Sequence, residues 1–281
     1  MCHYLNTHCV LLSAMKSAVF STMVEVIPVE FEEASVPGEG FLSHETVEKH
    51  NANGVVSYNN FTVKEKLQFA LEMAESLAEL HGFPDGVIVH DDVQPCQWLR
   101  TADGHLKLGD FNRATIMQWD MVKGGYCRFN NGQAYAQYRA PEEYAVVNLN
   151  EQIDTFSFGN NIYGLLTGLW NFVSHLAHPA VLSAQATPVI HELEFFSDRA
   201  TPPLFATQYD TDDDGVNQKK LTSGKLAYVD PRWREQSFGE RKLVELMERC
   251  WIFDPFKRIS MFDAVDFLRK AIQENEARSS R

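Results

Sequence analysis

The sequence predicts an α+β fold in which a small β-rich part precedes a larger, mainly helical part. Residues 23–29 form a β-branched run that is punctuated by Pro28, as expected of a short strand. Apolar residues recur with helical period between residues 62 and 81, and helical patterns dominate beyond residue 153. The 281 residues, 44% of them hydrophobic, are enough for one large domain or two modest ones.

The elements follow one another in a readable order. After a polar stretch over residues 32–60, Thr62 and Glu65 have capping-box spacing and predict a helix that stops at Gly82. Residues 87–89 predict a buried strand. Residues 98–100 and 105–108 predict a hairpin around the turn Asp103-Gly104, followed by polar loop to about residue 140.

Two further helices are predicted near the C-terminus. Ser260 has the position of a helix cap, and the apolar residues of that helix continue to Ile272. The helix before it carries an apolar stripe that predicts one buried face. The stripe consists of Leu243, Leu246, Met247 and Cys250.

Net charge and cysteine content indicate which partners and which cellular compartment to expect. The 38 acidic and 25 basic side chains give a formal charge of -13, which repels nucleic acid and anionic lipid. We therefore expect no nucleic-acid or membrane partner. The apolar stretch 9–23 contains Lys16 and is too short to span a bilayer. Five scattered cysteines without a C-x-x-C pair predict a reducing, intracellular and cytoplasmic location.

Three motifs fall in a fixed order along the chain. The first is HDDVQPCQ over residues 90–97, the second is Asp110-Phe111-Asn112, and the third is Ala140-Pro141-Glu142. In this order, with a helix before the first and a hairpin between the first two, they resemble the catalytic loop, the D-F-G segment and the A-P-E motif of eukaryotic protein kinases.

Two further segments extend this resemblance. Residues 154–159 are similar to the D-x-W-S-F-G start of the family's central helix. Residues 250–258 are similar to its C-W-x-x-D-P-x-x-R segment, closest to tyrosine-kinase-like members. The resemblance covers roughly residues 1–275 and implies a protein kinase-like fold. Residues 1–34 would then be a remnant of the small lobe with the hinge, and residues 35–281 the large lobe.

The resemblance also implies site residues and cofactors. Asp92 takes the place of the carboxylate that orients the substrate hydroxyl and accepts its proton, and Asp110 that of the Mg²⁺ ligand. Gln97 replaces the asparagine that binds a second metal ion. Gln94 replaces the lysine that contacts the transferred phosphate in serine/threonine kinases. Within the hinge, the expected ATP contacts are Glu25 and Ile27.

Other positions depart from the family pattern. Asp91 replaces an arginine that reads a phosphate on the activation segment, so activation by phosphorylation there is not expected. Asn112 replaces the D-F-G glycine, and asparagine tolerates the positive φ that this turn requires. No glycine-rich loop or V-A-I-K lysine is found, and Lys16 lies too close to the hinge to be that lysine.

Several residues have structural interpretations. The resemblance implies a buried ion pair between Glu142 and Arg258, and a role for Asp154 in holding the catalytic-loop backbone. The acidic run over residues 210–215 copies the first half of a calcium-binding loop, but its twelfth position is Leu221 instead of glutamate, which favours a solvated loop. A core position is predicted for four aromatic side chains, namely His90, Phe111, Phe158 and Trp251.

Two functional hypotheses follow. The altered positions favour a pseudokinase that binds or scaffolds another protein. The retained Asp92 and Asp110 allow the alternative of an ATP-dependent protein kinase that phosphorylates serine, threonine or tyrosine of a protein. Such an enzyme would be weak as it stands, or would need an upstream small lobe that is absent from this chain.

Overall fold

The fold is known from a computed structural model, which describes residues 57, 59–101, 103–131, 138–144, 148–168, 226 and 229–280, together with the backbone of residues 26–28. Helices dominate the described part and the strands are short, which confirms the α+β class. The strands are β1 (Val26–Pro28), β2 (Val87–Val89), β3 (Trp98–Thr101), β4 (Leu106–Leu108), β5 (Thr115–Met117), β6 (Trp119–Asp120) and β7 (Gly125–Tyr126). The α-helices are α1 (Val63–His81), α2 (Pro141–Tyr144), α3 (Gln152–Thr167), α4 (Phe238–Cys250) and α5 (Met261–Ser279).

Helix α1 begins where the capping box predicts. The Thr62 hydroxyl accepts a hydrogen bond from the Glu65 amide at 3.2 Å. The Glu65 carboxylate in turn accepts from the Thr62 amide at 2.8 Å, so two amides that lack helical partners are satisfied. The helix ends at His81, just before Gly82. Its buried face includes Leu67, Ala70, Met73, Ala74 and Leu77, the helical-period residues that lie in the core.

Helix α3 is the centre of the described core. It is buried along almost its whole length and packs against α1 and α4. Gly159 allows the close approach to α4, because an added Cβ would lie 2.8 Å from the Cβ of Cys250 and 2.9 Å from the Trp251 ring. The absence of a side chain at Gly159 therefore allows the short distance between these two helices.

Helices α4 and α5 complete the core. The predicted stripe of α4 is buried as expected. Its start has a capping box of Ser237 and Glu240, which the sequence analysis did not identify. Helix α5 starts after Ser260, whose hydroxyl accepts from the Asp263 amide at 3.1 Å, as predicted. No helix in the described part of the chain combines the length and the apolar character needed to cross a membrane.

Three small antiparallel sheets surround this helical core. Strand β3 is central to the order β1-β3-β4, which confirms the predicted hairpin and adds β1 at its edge, where Pro28 needs no ladder donor. Strand β2 pairs with β5, with Ile88 opposite Ile116. Strands β6 and β7 form a short hairpin. The prediction of a polar loop from residue 108 to about residue 140 was therefore wrong in part, since this stretch contains β5, β6 and β7. Strand β5 forms by pairing with the distant β2, and its three residues show no periodic pattern of their own.

Candidate functional site

Asp154, at the start of helix α3 (Gln152–Thr167), binds the backbone of the loop that follows β2 (Val87–Val89). The backbone amides of His90 and Asp91 donate to the two Asp154 carboxylate oxygens, at 2.8 and 2.9 Å. The His81 ring nitrogen Nε2 lies 3.1 Å from the same carboxylate. These contacts confirm the predicted role of Asp154 and fix the backbone immediately before Asp92.

Three side chains on one face of α3 extend this support. Asp154, Ser157 and Asn161 are spaced three and four residues apart, so they lie one above the other on the helix. Asn161 donates to the carbonyl of Val93 at 3.1 Å. Ser157 donates to the carbonyl of Tyr138 at 2.6 Å. One buried helix thus positions both the catalytic-like loop and the turn that precedes α2 (Pro141–Tyr144).

The carboxylate of Asp92 is surrounded by donors. Gln97 donates to Oδ2 at 2.8 Å, and Gln94 lies 3.3 Å from each carboxylate oxygen. Arg139 donates to Oδ1 at 3.1 Å. The Asp92 side chain is only 14% exposed. The structure therefore brings together Asp92, Gln94 and Gln97, and it adds Arg139, which the sequence analysis did not predict.

Asp110 has different surroundings. It is exposed and has left-handed backbone angles, with φ 50° and ψ 70°. Its carboxylate accepts no hydrogen bond from the described residues, so it is available as the hard oxygen ligand that Mg²⁺ prefers. Asp91 and Asp110 are the non-glycine residues with positive φ in the described part. Such backbone strain often clusters at functional sites.

Asn112 does not use the positive φ that asparagine would tolerate. Asn112 lies in the 3₁₀ turn Phe111–Arg113, and the positive φ falls on Asp110 instead. The turn therefore needs no glycine at position 112. Phe111 is partly buried and packs edge-on against His90, with ring centroids 4.8 Å apart. The predicted core positions of the other three aromatic side chains are confirmed for His90, Phe158 and Trp251.

The other predicted ligand residues are only partly covered. The backbone of Ile27 lies in β1 (Val26–Pro28) opposite Arg100 of β3 (Trp98–Thr101). Its side chain, as well as Glu25, Lys16 and residues 210–215, is outside the described residues, as is the predicted domain boundary after residue 34. In the described part, no three histidine, cysteine or acidic side chains form a metal-binding group. The assignment of Asp110 and Gln97 as metal ligands stays a prediction.

Arg139 joins three carboxylates. Besides Asp92, it contacts Asp91 at 3.3 Å and Glu143 at 3.0 Å, and Glu143 also accepts from the Ala140 amide at 2.6 Å. Burial raises the pKa of Glu143 to about 8 and also raises the pKa of Asp91. Although burial alone would lower the pKa of Arg139, the surrounding carboxylates hold it above its ordinary value. The charge of each of these groups therefore depends on its neighbours in the cluster.

Two more residues reach Asp91 from the stretch after Asp110. Arg113 pairs with the Asp91 carboxylate at 3.0 Å, and Asn131 donates to the same oxygen. The sequence analysis missed Arg113, Asn131 and Arg139. The available signal was the inverted charge at Asp91, because a buried carboxylate needs cationic partners. Arginines directly after the second motif and directly before the third were the natural candidates.

The predicted ion pair between Glu142 and Arg258 is confirmed. Two hydrogen bonds of 2.5 and 2.8 Å join the guanidinium to the carboxylate. The Arg258 side chain is fully buried, and it also donates to the carbonyls of Ile252 and Gln152 at 2.6 and 2.9 Å. Its charge lies over the Phe156 ring, 5.0 Å from the centroid. This pair ties α2 to α3 and to the segment after α4 (Phe238–Cys250).

The fold and this ordered loop, with Asp92, Asp110 and the Glu142–Arg258 pair in place, define a protein kinase-like domain. A family model of the protein kinase domain matches residues 14–268, so the chain belongs to the protein kinase family. The predicted family resemblance and fold are thereby confirmed.

Known kinases show the same relationship at low identity. The chain is 30% identical over 140 residues to the serine/threonine-protein kinase VIK of Arabidopsis thaliana, covering 49% of this chain and 31% of that protein. It is 28% identical over 209 residues to mitogen-activated protein kinase kinase kinase 7 of Bos taurus, covering 74% and 28%. Wall-associated receptor kinase 5 of Arabidopsis thaliana is 30% identical over 128 residues, covering 46% and 17%. The matches thus span less than a third of each of these relatives.

Proposed function

We propose that this domain is a degenerate pseudokinase that acts by binding another protein rather than by transferring phosphate. The observation that carries the proposal is the environment of Asp92, whose carboxylate accepts hydrogen bonds from Gln97 and Arg139 at 2.8 and 3.1 Å. A carboxylate that serves as proton acceptor must have a free oxygen facing the substrate hydroxyl. Here each oxygen accepts a hydrogen bond from the same chain, so these donors compete with a substrate hydroxyl for the lone pairs of the carboxylate.

The loss of a cation at Gln94 supports the same proposal. Phosphoryl transfer relies on positive groups at the point where negative charge develops. Gln94 offers a neutral amide, 3.3 Å from both Asp92 oxygens. Removal of one such electrostatic donor typically lowers the rate by about 100- to 1,000-fold. The two changes together would leave little phosphoryl transfer.

An exposed apolar hairpin supports the binding role. Strands β6 (Trp119–Asp120) and β7 (Gly125–Tyr126), together with the turn that joins them, carry four of the exposed large apolar side chains of the described residues. Met121 and Val122 at the tip are 86% and 90% exposed, and Trp119 packs edge-on against Tyr126. Contiguous exposed apolar groups often mark protein-binding surfaces. This hairpin lies between Asp110 and Glu142, in the stretch that flanks the candidate site.

Only a few residues of this chain are suited to bind Mg²⁺ and ATP, the cofactors of the family. Asp110 is exposed and fits a Mg²⁺ ligand, and the amide oxygen of Gln97 is the proposed second donor. Bound Mg²⁺ would neutralise charge on the phosphates of ATP. Glu25 and Ile27 are kept as proposed ATP contacts.

The alternative proposal is an active protein kinase that is weak or needs an upstream small lobe. The specific observation in its favour is the exposed Asp110 carboxylate, together with the retained Asp92. It is tested by adding ATP and Mg²⁺ to a chain extended by a complete small lobe. Absence of any rise in the unfolding temperature would exclude it, because a ligand that binds the native state stabilises that state.

Phosphate incorporation tests the main proposal. The full chain is incubated with labelled ATP, Mg²⁺ and a generic protein substrate, in parallel with Asp92→Ala. We expect equal background labelling in both samples. Strong labelling by the wild-type chain that Asp92→Ala abolishes would contradict the pseudokinase proposal and favour the enzyme.

A further inference from the structure

Asp91 is the meeting point of two stretches that flank the candidate site. Arg113 and Asn131 come from residues 111–131, and Arg139 comes from residues 138–144. Arg113 lies 3.0 Å and Arg139 lies 3.3 Å from the Asp91 carboxylate, and Asn131 donates to it as well. Asn131 also donates to the Arg113 carbonyl at 3.3 Å. Three donors from separate places thus converge on one side chain.

The backbone of Asp91 takes part in the same arrangement. Its carbonyl accepts from Arg113 at 3.2 Å and also from Arg139. Its amide donates to Asp154 at 2.9 Å, which anchors the loop to helix α3 (Gln152–Thr167). The residue is only 2% exposed and has a φ of 58°. A buried carboxylate in this strained position is stable only while its cationic partners are present.

We infer that Asp91 is an internal anionic latch that holds residues 111–131 and 138–144 against the loop without phosphorylation. The resemblance to kinases places an arginine at this position, opposite a phosphate on the segment. Here both charges are exchanged, since the anion lies on the loop and the two cations lie on the segment. The attraction is kept, but its anion is an ordinary side chain of the protein and needs no modification.

The charge balance of the cluster argues against an added phosphate. Three carboxylates, those of Asp91, Asp92 and Glu143, face the guanidinium groups of Arg113 and Arg139. A phosphate placed on the segment near these groups would add negative charge beside Asp91 and Asp92, whose charges the guanidinium groups of Arg113 and Arg139 already balance. Phosphorylation there would loosen the segment. The inference does not depend on catalytic activity, and its test measures protection of the segment instead of phosphate transfer.

Hydrogen–deuterium exchange of the full chain tests the latch. Asparagine tolerates positive φ, so Asp91→Asn removes the charge with little backbone strain. We expect the amides of residues 111–131 and 138–144 to exchange about tenfold faster or more, because hydrogen bonds between charged groups contribute at least that factor to local opening. Helix α5 (Met261–Ser279) should keep its protection. Unchanged exchange in both stretches would overturn the inference.

Two variants separate the latch from general damage to the fold. Arg113→Gln removes the cationic partner on residues 111–131 and leaves Asn131 in place. The Arg113 side chain is 29% exposed, so the chain should fold and lose protection in that stretch alone. Asp92→Asn is the matched control, because Asp92 contacts Arg139 but not Arg113 in the described structure. Residues 111–131 should therefore exchange as in the wild type. Equal effects of Arg113→Gln and Asp92→Asn on residues 111–131 would contradict a latch at Asp91.

Chemical rescue gives a readout that a purely structural role would not produce. Asp91→Gly suits the φ of 58° and leaves two guanidinium groups facing the space of the lost carboxylate. Added sodium formate should restore slow exchange in this variant, whereas sodium chloride of equal ionic strength should not. Wild-type exchange should not respond to formate or to phosphatase treatment. Loss of wild-type protection after phosphatase treatment would refute the inference.

Discussion

Arg139 donates to Asp92 at 3.1 Å while its other terminal nitrogen contacts Glu143 at 3.0 Å. One buried guanidinium therefore links the catalytic-like loop to helix α2 (Pro141–Tyr144). Removal of this single cation leaves Asp92 and Glu143 without their ion-pair partner in the described structure and leaves Asp91 with Arg113 alone. The resulting charge imbalance governs the first two predictions.

Arg139→Met should lower the free energy of unfolding by about 3–5 kcal/mol, because it leaves buried charges without a partner. Urea denaturation measures the change. The matched control is Arg269→Met, since Arg269 pairs with Glu75 at 2.8 Å but is 57% exposed. The control should lose about 1 kcal/mol or less. Similar losses in both variants would show that the cluster is not an essential ion network.

The stability of the wild-type chain should fall as pH rises from about 4.5 to about 8. The pKa of Glu143 is about 8 in the fold against an ordinary value of 4.5. The folded state therefore binds more protons than the unfolded state in that window, and a rise in pH favours unfolding. Asp91, whose pKa burial also raises, acts in the same direction.

Glu143→Gln should flatten this pH profile while keeping an acceptor for the Ala140 amide. Thermal unfolding at pH values from 5 to 8 measures the slope. Glu248→Gln is the control, because Glu248 is an exposed partner of Arg234. It should retain the wild-type slope. A Glu143→Gln profile as steep as that of the wild type would assign the pH dependence to other groups.

Lys66 predicts a pH dependence of opposite sign. Its side chain is 2% exposed and donates to the Leu166 carbonyl at 3.0 Å, and burial lowers its pKa from 10.5 to about 8. Between these pH values the unfolded state binds more protons, so stability should rise with pH.

Lys66→Met should raise the unfolding temperature near pH 7, because a buried charge is replaced by an apolar side chain of similar length. The advantage should shrink as pH approaches 10.5, the ordinary pKa of lysine. Calorimetry at pH 7 and at higher pH measures both effects. Lys64→Met, on the exposed face of the same helix with a side chain that is 76% exposed, should show little change at either pH. A destabilised Lys66→Met at pH 7 would show that the hydrogen bond to Leu166 outweighs the burial of charge.

Gly159→Ala should destabilise the fold although alanine favours helices by about 1 kcal/mol. The added Cβ would lie 2.8 Å from Cys250, and overpacking of this kind costs about 1–3 kcal/mol. Chemical denaturation should therefore show a net loss. Gly125→Ala meets no atom within 4 Å and should be close to neutral. A stabilised Gly159→Ala would mean that helices α3 (Gln152–Thr167) and α4 (Phe238–Cys250) can separate without cost.

Local signals in the sequence were sufficient for much of the fold. The capping box at Thr62, the turn at Asp103-Gly104 and the cap at Ser260 act within one turn of chain, so residues close in sequence reveal them. The motif order also predicted the contacts of Asp154 and the Glu142–Arg258 pair. Strand β5 (Thr115–Met117) could not be predicted in this way, because its partner β2 (Val87–Val89) lies more than 20 residues away along the chain.

The sequence by itself determined the family, the order of the motifs and the positions that depart from the family. Only the tertiary structure decided what those departures do. Arg113 and Arg139 are 22 and 48 residues from Asp91. Their ion pairs exist only because β5 pairs with β2 and because helix α3 (Gln152–Thr167) binds both the loop and the turn at Tyr138. A charge at one position can be read from a sequence. Its partner and its burial depend on long-range packing, and these set the energy of the charge.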